Sequence, residues 1–223
     1  MANVLSIAET GSKILLHTGF SATISNSFSS PLTAPYGVAW DGTNVLSGDY
    51  ISVKIYLHTG FSSTISNSFS SPSTGLNSLS WDGTNVSSGD FYSSKIYLHT
   101  GFSSTISNSF SSPSTNLNSL SWDGKNVLSG DRGSNKFYLH TGFSSTISNS
   151  FSSPSTECYG LTWDASNLLS GEYGLGKIYL HTGFSSTISN SFAATAVLSI
   201  EWDDRVYFGR FPKGSYYPHI LAH

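Results

Sequence analysis

Histidine recurs at positions 17, 58, 99, 140 and 181, and these five equally spaced imidazoles are the residues that first invite a chemical role, as metal ligands or proton carriers. Each ends the same short apolar segment, Lys-Ile-Tyr-Leu-His in its commonest form, away from the segments expected to line an axis. The expected role is therefore a hydrogen bond to a neighbouring turn in every unit. Asp49 with Lys54, Asp90 with Lys95, Asp131 with Lys136 and Glu172 with Lys177 flank a common turn. Cross-strand ion pairs are expected there, worth about 0–1 kcal/mol each. Their identical repetition speaks against catalytic dyads, which need pKa values pushed apart by unlike surroundings. The tryptophans at 40, 81, 122, 163 and 202 each precede an aspartate, and are expected to fill the space between units while the aspartate opens a turn.

Other nucleophile, metal and phosphate signals are weaker still. Gly171-Glu172-Tyr173-Gly174-Leu175-Gly176-Lys177 approaches a phosphate-binding loop, but Ile178 stands where Ser or Thr is required and a strand pattern follows where a helix should begin. Cys158 is the only cysteine, which excludes an internal disulfide, and it occupies the place of Pro35, Leu76 and Leu117 in other units, as a packed apolar side chain would. No G-x-S-x-G, H-E-x-x-H or C-x-x-C occurs. The unique charges Glu157, Glu201, Asp204, Arg205 and Arg210 fall mostly towards the C-terminus. These residues lead to an expectation of no enzyme activity, no metal and no cofactor.

The elements behind these residues follow from one repeated stretch. Lys54-Ile55-Tyr56-Leu57-His58-Thr59-Gly60-Phe61-Ser62-Ser63-Thr64-Ile65-Ser66-Asn67-Ser68-Phe69 returns from Lys95, Lys136 and Lys177, and in drifted form from Lys13, always 41 residues apart. A fixed period of this size, rich in β-branched and aromatic residues and punctuated by Gly, Asn and Pro, marks a repeat architecture. A lone unit cannot build a core that offsets its chain entropy, so the units must stack. One unit reads as four strands, A over 76–81, B over 86–90, C over 95–99 and D over 104–110, with Asp82-Gly83 and Thr100-Gly101 supplying the tight turns. Four-stranded antiparallel units stacked in a ring make an all-β five-bladed β-propeller. Asn3-Val4-Leu5-Ser6 aligns with strand B, so closure requires the C-terminal strand A around Ile200 to pair with the N-terminal strands in a split blade.

The succession of Trp-Asp-Gly, Asn-Val-Leu-Ser-Gly-Asp and Lys-Ile-Tyr-Leu-His resembles the blade of the NHL and SMP-30-like propeller repeats. That resemblance implies a fold and not an activity, since those families include protein-binding, RNA-binding and hydrolytic members. The carboxylates that hold the metal in the hydrolytic relatives have no counterpart here.

The propeller is expected over residues 1–204, leaving 205–223 as a surplus strand pair whose Tyr207, Phe208, Phe211, Tyr216 and Tyr217 would dock on the ring or contact a neighbouring molecule. Charged residues make up 10% of the chain, against about 25% in ordinary soluble domains, and the net charge of -3 has no basic run behind it. Nucleic acid and anionic membrane surfaces are therefore not expected partners. Nor does any apolar run reach the roughly 18 residues of a membrane span, and the first residues lack the pattern of a signal peptide. The polar, weakly charged composition suits an extracellular or virion-associated protein.

Differences between units cluster in the B–C turns and D–A segments, which emerge on one face of the ring. Tyr36, Tyr50, Phe91, Tyr92, Arg132, Tyr159 and Tyr173 stand there as anchors for a protein partner or an assembly. The opposite face carries the unchanging Thr-Gly-Phe-Ser turns. Its regularity suits an alternative function, a multivalent lectin with one carbohydrate site per blade.

Overall fold

The computed structural model describes residues 3–8, 12–31 and 34–203. The chain begins with β1 (Asn3–Ala8), β2 (Lys13–His17) and β3 (Ile24–Ser29), and then repeats a four-strand meander. The second blade is β4 (Pro35–Trp40), β5 (Val45–Asp49), β6 (Lys54–His58) and β7 (Ile65–Ser70). The third is β8 (Leu76–Trp81), β9 (Val86–Asp90), β10 (Lys95–His99) and β11 (Ile106–Ser111). The fourth is β12 (Leu117–Trp122), β13 (Val127–Asp131), β14 (Lys136–His140) and β15 (Ile147–Ser152). The fifth is β16 (Cys158–Trp163), β17 (Leu168–Glu172), β18 (Lys177–His181) and β19 (Ile188–Ala193), and β20 (Val197–Asp203) completes the first. Five sheets of four antiparallel strands form a five-bladed β-propeller, in which one sheet has the order β20-β1-β2-β3. The expected split blade is present, with Val4 opposite Trp202 and Ser6 opposite Ile200.

Strands β4, β8, β12, β16 and β20 pack on one another in a closed circle and so surround the axis. Their fourth residues, Val38, Leu79, Leu120, Leu161 and Ile200, are each at most 2% exposed, a burial worth about 1.5–3 kcal/mol apiece. Close packing both within a blade and against the next one explains the glycine in the Ser-Gly-Asp of the second strands. A Cβ on Gly89 would lie 2.2 Å from Ser78 Oγ and 3.0 Å from Leu117 Cδ2 of the next blade.

The fourth strand begins at Ile106, two residues later than the sequence pattern suggests. Ser103 Oγ donates to the Thr100 carbonyl at 2.7 Å and accepts from Thr105 N–H at 3.3 Å, which holds these residues in the turn. A bulge between Leu98 and His99 then sets the pairing. The fourth strands are outer edges, and Asn67 Oδ1 accepts the N–H of Ser68 at 2.8 Å, as its counterparts do in the other blades. That local bond occupies a donor which an open sheet edge would otherwise offer to another chain.

Candidate functional site

The histidines are structural, as their spacing suggested, but they reach further than a turn. Each sits at the end of the third strand of its blade, opposite a serine of the second strand. Nε2 is 2.8 to 3.0 Å from the Oγ of Ser6, Ser47, Ser88, Ser129 and Ser170 in the five blades. His17 Nδ1 lies 3.1 Å from the Ser21 carbonyl, which can only accept, so Nδ1 carries the proton and Nε2 accepts from the serine. In the other blades Nδ1 faces the equivalent carbonyl, that of Ser62 for His58, outside the limits of a well-formed hydrogen bond. Each ring also packs on a phenylalanine of the preceding blade, with centroids 5.0 to 5.5 Å apart. Burial pushes His58, His99, His140 and His181 down to about 4, so they are neutral fillers of the blade interfaces at neutral pH.

The expected Asp–Lys pairs are not formed. Asp49, Asp90, Asp131 and Glu172 do lie opposite Lys54, Lys95, Lys136 and Lys177 in the ladders. The acids are buried and the lysines exposed. Each carboxylate turns inward to bind the loop that enters its blade: Asp49 accepts from Ala34 N–H at 3.2 Å, Asp90 from Gly75 N–H at 2.8 Å, and Asp131 from Ser112 Oγ at 2.7 Å. Among the described residues the one ion pair is Arg132 with Glu157, at 3.9 Å.

Nor are these acids identical in their chemistry. Burial acts upward on Asp90, but hydrogen bonds from Ser73, Ser93 and Gly75 outweigh it and hold its carboxyl below the usual range. At Asp131 burial prevails over the Ser112 hydroxyl and pushes the group up to about 7. Glu172 is likewise raised to about 7 by burial. The Cys158 thiol is itself pushed up, first by complete burial and then by the Glu172 carboxylate, which disfavours the thiolate form. The phosphate-loop-like run around Gly174 is the turn between two antiparallel strands, β17 and β18.

The residues singled out on the variable face do come together. Tyr36, Tyr50, Phe91, Arg132 and Tyr159 line one pocket of about 190 Å³ at that end of the axis, together with Asn77 and Asn118. The inner strands place Tyr36, Asn77, Asn118 and Tyr159 at equivalent positions, the second residue of β4, β8, β12 and β16. Residues immediately after the second strands, Tyr50, Phe91 and Arg132, form an outer tier. Ring contacts join Tyr36 to Tyr50 at 5.4 Å, Tyr50 to Tyr92 at 6.3 Å and Phe91 to Tyr92 at 5.5 Å. The hydroxyls of Tyr50 and Tyr92 share a hydrogen bond, which pushes the Tyr50 phenol up to about 12.

Across the opening Tyr173 packs on Tyr159 at 5.4 Å, and Arg132 donates to the Tyr159 hydroxyl at 3.1 Å. Tyr92 and Tyr173 thus flank the pocket without lining it. The sequence reading missed Asn77 and Asn118 because they repeat each other, although their alignment with Tyr36 and Tyr159 was the available signal. Asn77 Nδ2 donates to the Leu117 carbonyl and to Asn118 Oδ1, and so links two blades under the pocket. The aromatic residues expected between 205 and 223 lie outside the described residues.

The uniform face holds a second and larger axial opening, of about 390 Å³. The chain's five tryptophans line it, with Asp41, Asp82, Asp123, Asp164 and Glu201. Four of the five Trp-Asp steps also make the turn that the sequence suggested: Asp82 Oδ1 accepts from Thr84 N–H at 2.8 Å and Asn85 N–H at 2.7 Å, and Oδ2 accepts from Asn85 Nδ2 at 3.0 Å, while Trp202-Asp203 lies within β20. Asn85 Oδ1 in turn accepts Gly101 N–H of the Thr-Gly-Phe-Ser turn at 2.9 Å, and the other blades repeat this. Phe102 of that turn meets Phe69 of the preceding blade edge-on at 4.8 Å. These internal contacts account for the unchanging turns.

No family model and no curated protein matches the chain. Among solved structures it is similar to the glutaminyl cyclase of Myxococcus xanthus, with a TM-score of 0.61 and 9% identity over 86% of this chain and 74% of the cyclase. A chain of the mitotic checkpoint complex gives a TM-score of 0.55 at 18% identity, with 86% of this chain and 60% of that one covered. The computationally designed Ika4 protein gives 0.50 at 13% identity, over 70% of this chain and 96% of the design. Identities this low show a shared β-propeller fold alone, and membership of the NHL or SMP-30-like families is not shown.

Proposed function

We propose that this propeller is a non-enzymatic binding protein that presents its variable face to a protein partner. The observation that carries the reading is the convergence of Tyr36, Tyr50, Phe91, Arg132 and Tyr159, from the divergent segments of four blades, on one axial pocket. Aromatic residues and Arg are the types enriched at the centres of protein interfaces. Arg132 and Glu157 are about 40% exposed and held only at 3.9 Å, so a partner carboxylate can replace Glu157 at little cost. The chemistry that fits is a short segment carrying an aromatic residue and an acid.

Selection of a displayed random-peptide library on the immobilised protein tests this, with the Tyr159→Ala and Arg132→Ala variants as counter-targets. Enriched aromatic and acidic peptides that lose at least about tenfold in affinity on both variants support the reading. No enrichment, or peptides indifferent to both variants, overturns it. A parallel glycan array gives the lectin reading its own trial, since saturable glycan binding unaffected by the two variants would put function on the uniform face.

A further inference from the structure

We propose that the tryptophan-lined opening on the uniform face binds a small alkylated ammonium ion. Its volume, about 390 Å³, falls within the range of small-molecule pockets, about 300–1,000 Å³. The chain's five tryptophans line this cavity, and the indole face is the strongest aromatic partner for an organic cation. Four aspartates and Glu201 share the wall and, among the described residues, no lysine or arginine does, so the charge on the lining is negative.

That sign excludes an anion. A bare metal ion is also a poor fit, because among the described residues no three His, Cys, Asp or Glu groups lie close enough to share one. Nor does the wall suit a sugar, which needs directed hydrogen bonds. Oδ1 of each aspartate already accepts two backbone N–H groups and Oδ2 an asparagine amide. A carboxylate has about four lone-pair sites, and three are taken. What remains is charge acting through space on aromatic walls, and a bulky, weakly hydrated cation responds to that combination without needing a free acceptor.

The test is a titration of choline into the intact protein, followed by tryptophan emission and by calorimetry, beside its neutral isostere 3,3-dimethylbutan-1-ol at matched ionic strength. All five fluorophores line the proposed site, so binding reports directly. Choline is expected to saturate the signal and to bind at least about tenfold more tightly than the isostere. Trp122→Leu is expected to weaken choline about tenfold, Trp122→Phe to restore part of it, and Asp123→Asn to weaken it several-fold while leaving the Oδ1 acceptor of its turn in place. Absence of saturation, or equal binding of the neutral isostere, overturns the proposal in the unmodified protein whatever the variants do to folding. Insensitivity of choline binding to folded Trp122→Leu does the same.

Discussion

The two ends of the propeller axis are built from the same five inner strands and differ in almost everything else. At one end the second residue of each strand changes from blade to blade, with Tyr36, Asn77, Asn118 and Tyr159 around a pocket of about 190 Å³ beneath Arg132. At the other the strands close on tryptophan in every blade, around about 390 Å³ edged with carboxylates. The contacts behind them differ in the same way. The uniform end is stitched by repeated bonds, from Asp to its own turn in four blades and from Asn to the next turn in all five. The variable end is held by unlike contacts that cross between blades, such as Tyr50 with Tyr92 and Arg132 with Tyr159. Where a residue does the same structural work in each blade the repeat cannot drift without loss, and where the contacts are lateral it can.

The largest expected effect comes from acid, because the five-fold layer and the blade-specific layer respond with opposite signs. His58, His99, His140 and His181 are lowered to about 4 by burial. A depressed base binds fewer protons folded than unfolded, so its contribution is complete above about 6.5 and drains away as pH falls towards 4. Asp131 and Glu172, raised to about 7 by burial, keep protons in the folded state that the unfolded chain gives up. Their contribution is present at low pH and is lost as pH rises through 7. Four imidazoles outweigh two carboxyls, so stability should peak near pH 6.5–7 and fall by about 3 kcal/mol at pH 5. Urea unfolding at pH 8, 7, 6 and 5 measures this. A monotonic rise in stability down to pH 5 would mean that the histidine layer is solvated and charged.

Truncation sharpens the contrast between the faces. Asn85→Ala removes the acceptor of Gly101 N–H and the tie to Asp82, and should cost about 1–2 kcal/mol. Tyr92→Ala on the other face removes a side chain that is 65% exposed and should cost under about 0.5 kcal/mol. Equal costs, measured by chemical unfolding, would contradict the division into a face held by buried, repeated hydrogen bonds and one held by exposed lateral contacts.

Much of this was legible from residue order alone. The 41-residue period dictated the ring, and the position of Asn3-Val4-Leu5-Ser6 dictated the split blade, because both follow from pairing rules that leave few alternatives. Which loops share a face was also readable, since strands alternate in direction. The buried carboxylates were not. Opposition of Asp90 and Lys95 across a turn is visible in sequence, but whether the carboxylate reaches the lysine or turns to Gly75 N–H depends on a loop that arrives from the preceding blade. Likewise the tryptophans were placed between blades correctly, while the cavity they enclose exists only because five blades, and not some other number, set the width of the axis.

The carboxylate layer offers a test that the repeat alone would call meaningless, the same substitution at two equivalent sites. Asp90→Asn discards a charged acceptor already satisfied by Ser73, Ser93 and Gly75, and should destabilise by about 1 kcal/mol at pH 8. Asp131→Asn relieves a buried charge that is poorly satisfied at that pH, and should stabilise by about 1 kcal/mol. The second effect should shrink at pH 5, where Asp131 is already neutral. Effects of the same sign at pH 8 would show the two blades to be electrostatically equivalent after all.

The smallest effect probes the one irregular corner in the turns of the uniform end. Gly42, Gly83 and Gly124 follow the aspartates at φ of 93°, 96° and 96°, and the fourth such turn carries Ala165 at φ 74°. A Cβ at Gly42, Gly83 or Gly124 would meet nothing within 4 Å. The penalty for a side chain there is thus the backbone conformation itself and not a clash. Ala165→Gly should stabilise by about 0.5–1 kcal/mol, and Gly83→Ala should destabilise by as much. In thermal unfolding each change should move the midpoint by about 1–3 °C, in opposite directions. A loss of stability in Ala165→Gly would mean that the unfolded chain gains more freedom from glycine than the left-handed turn gives back, and that the alanine in this blade is tolerated because the turn, tied through Asn167 to Gly183 N–H at 3.0 Å, is held from outside.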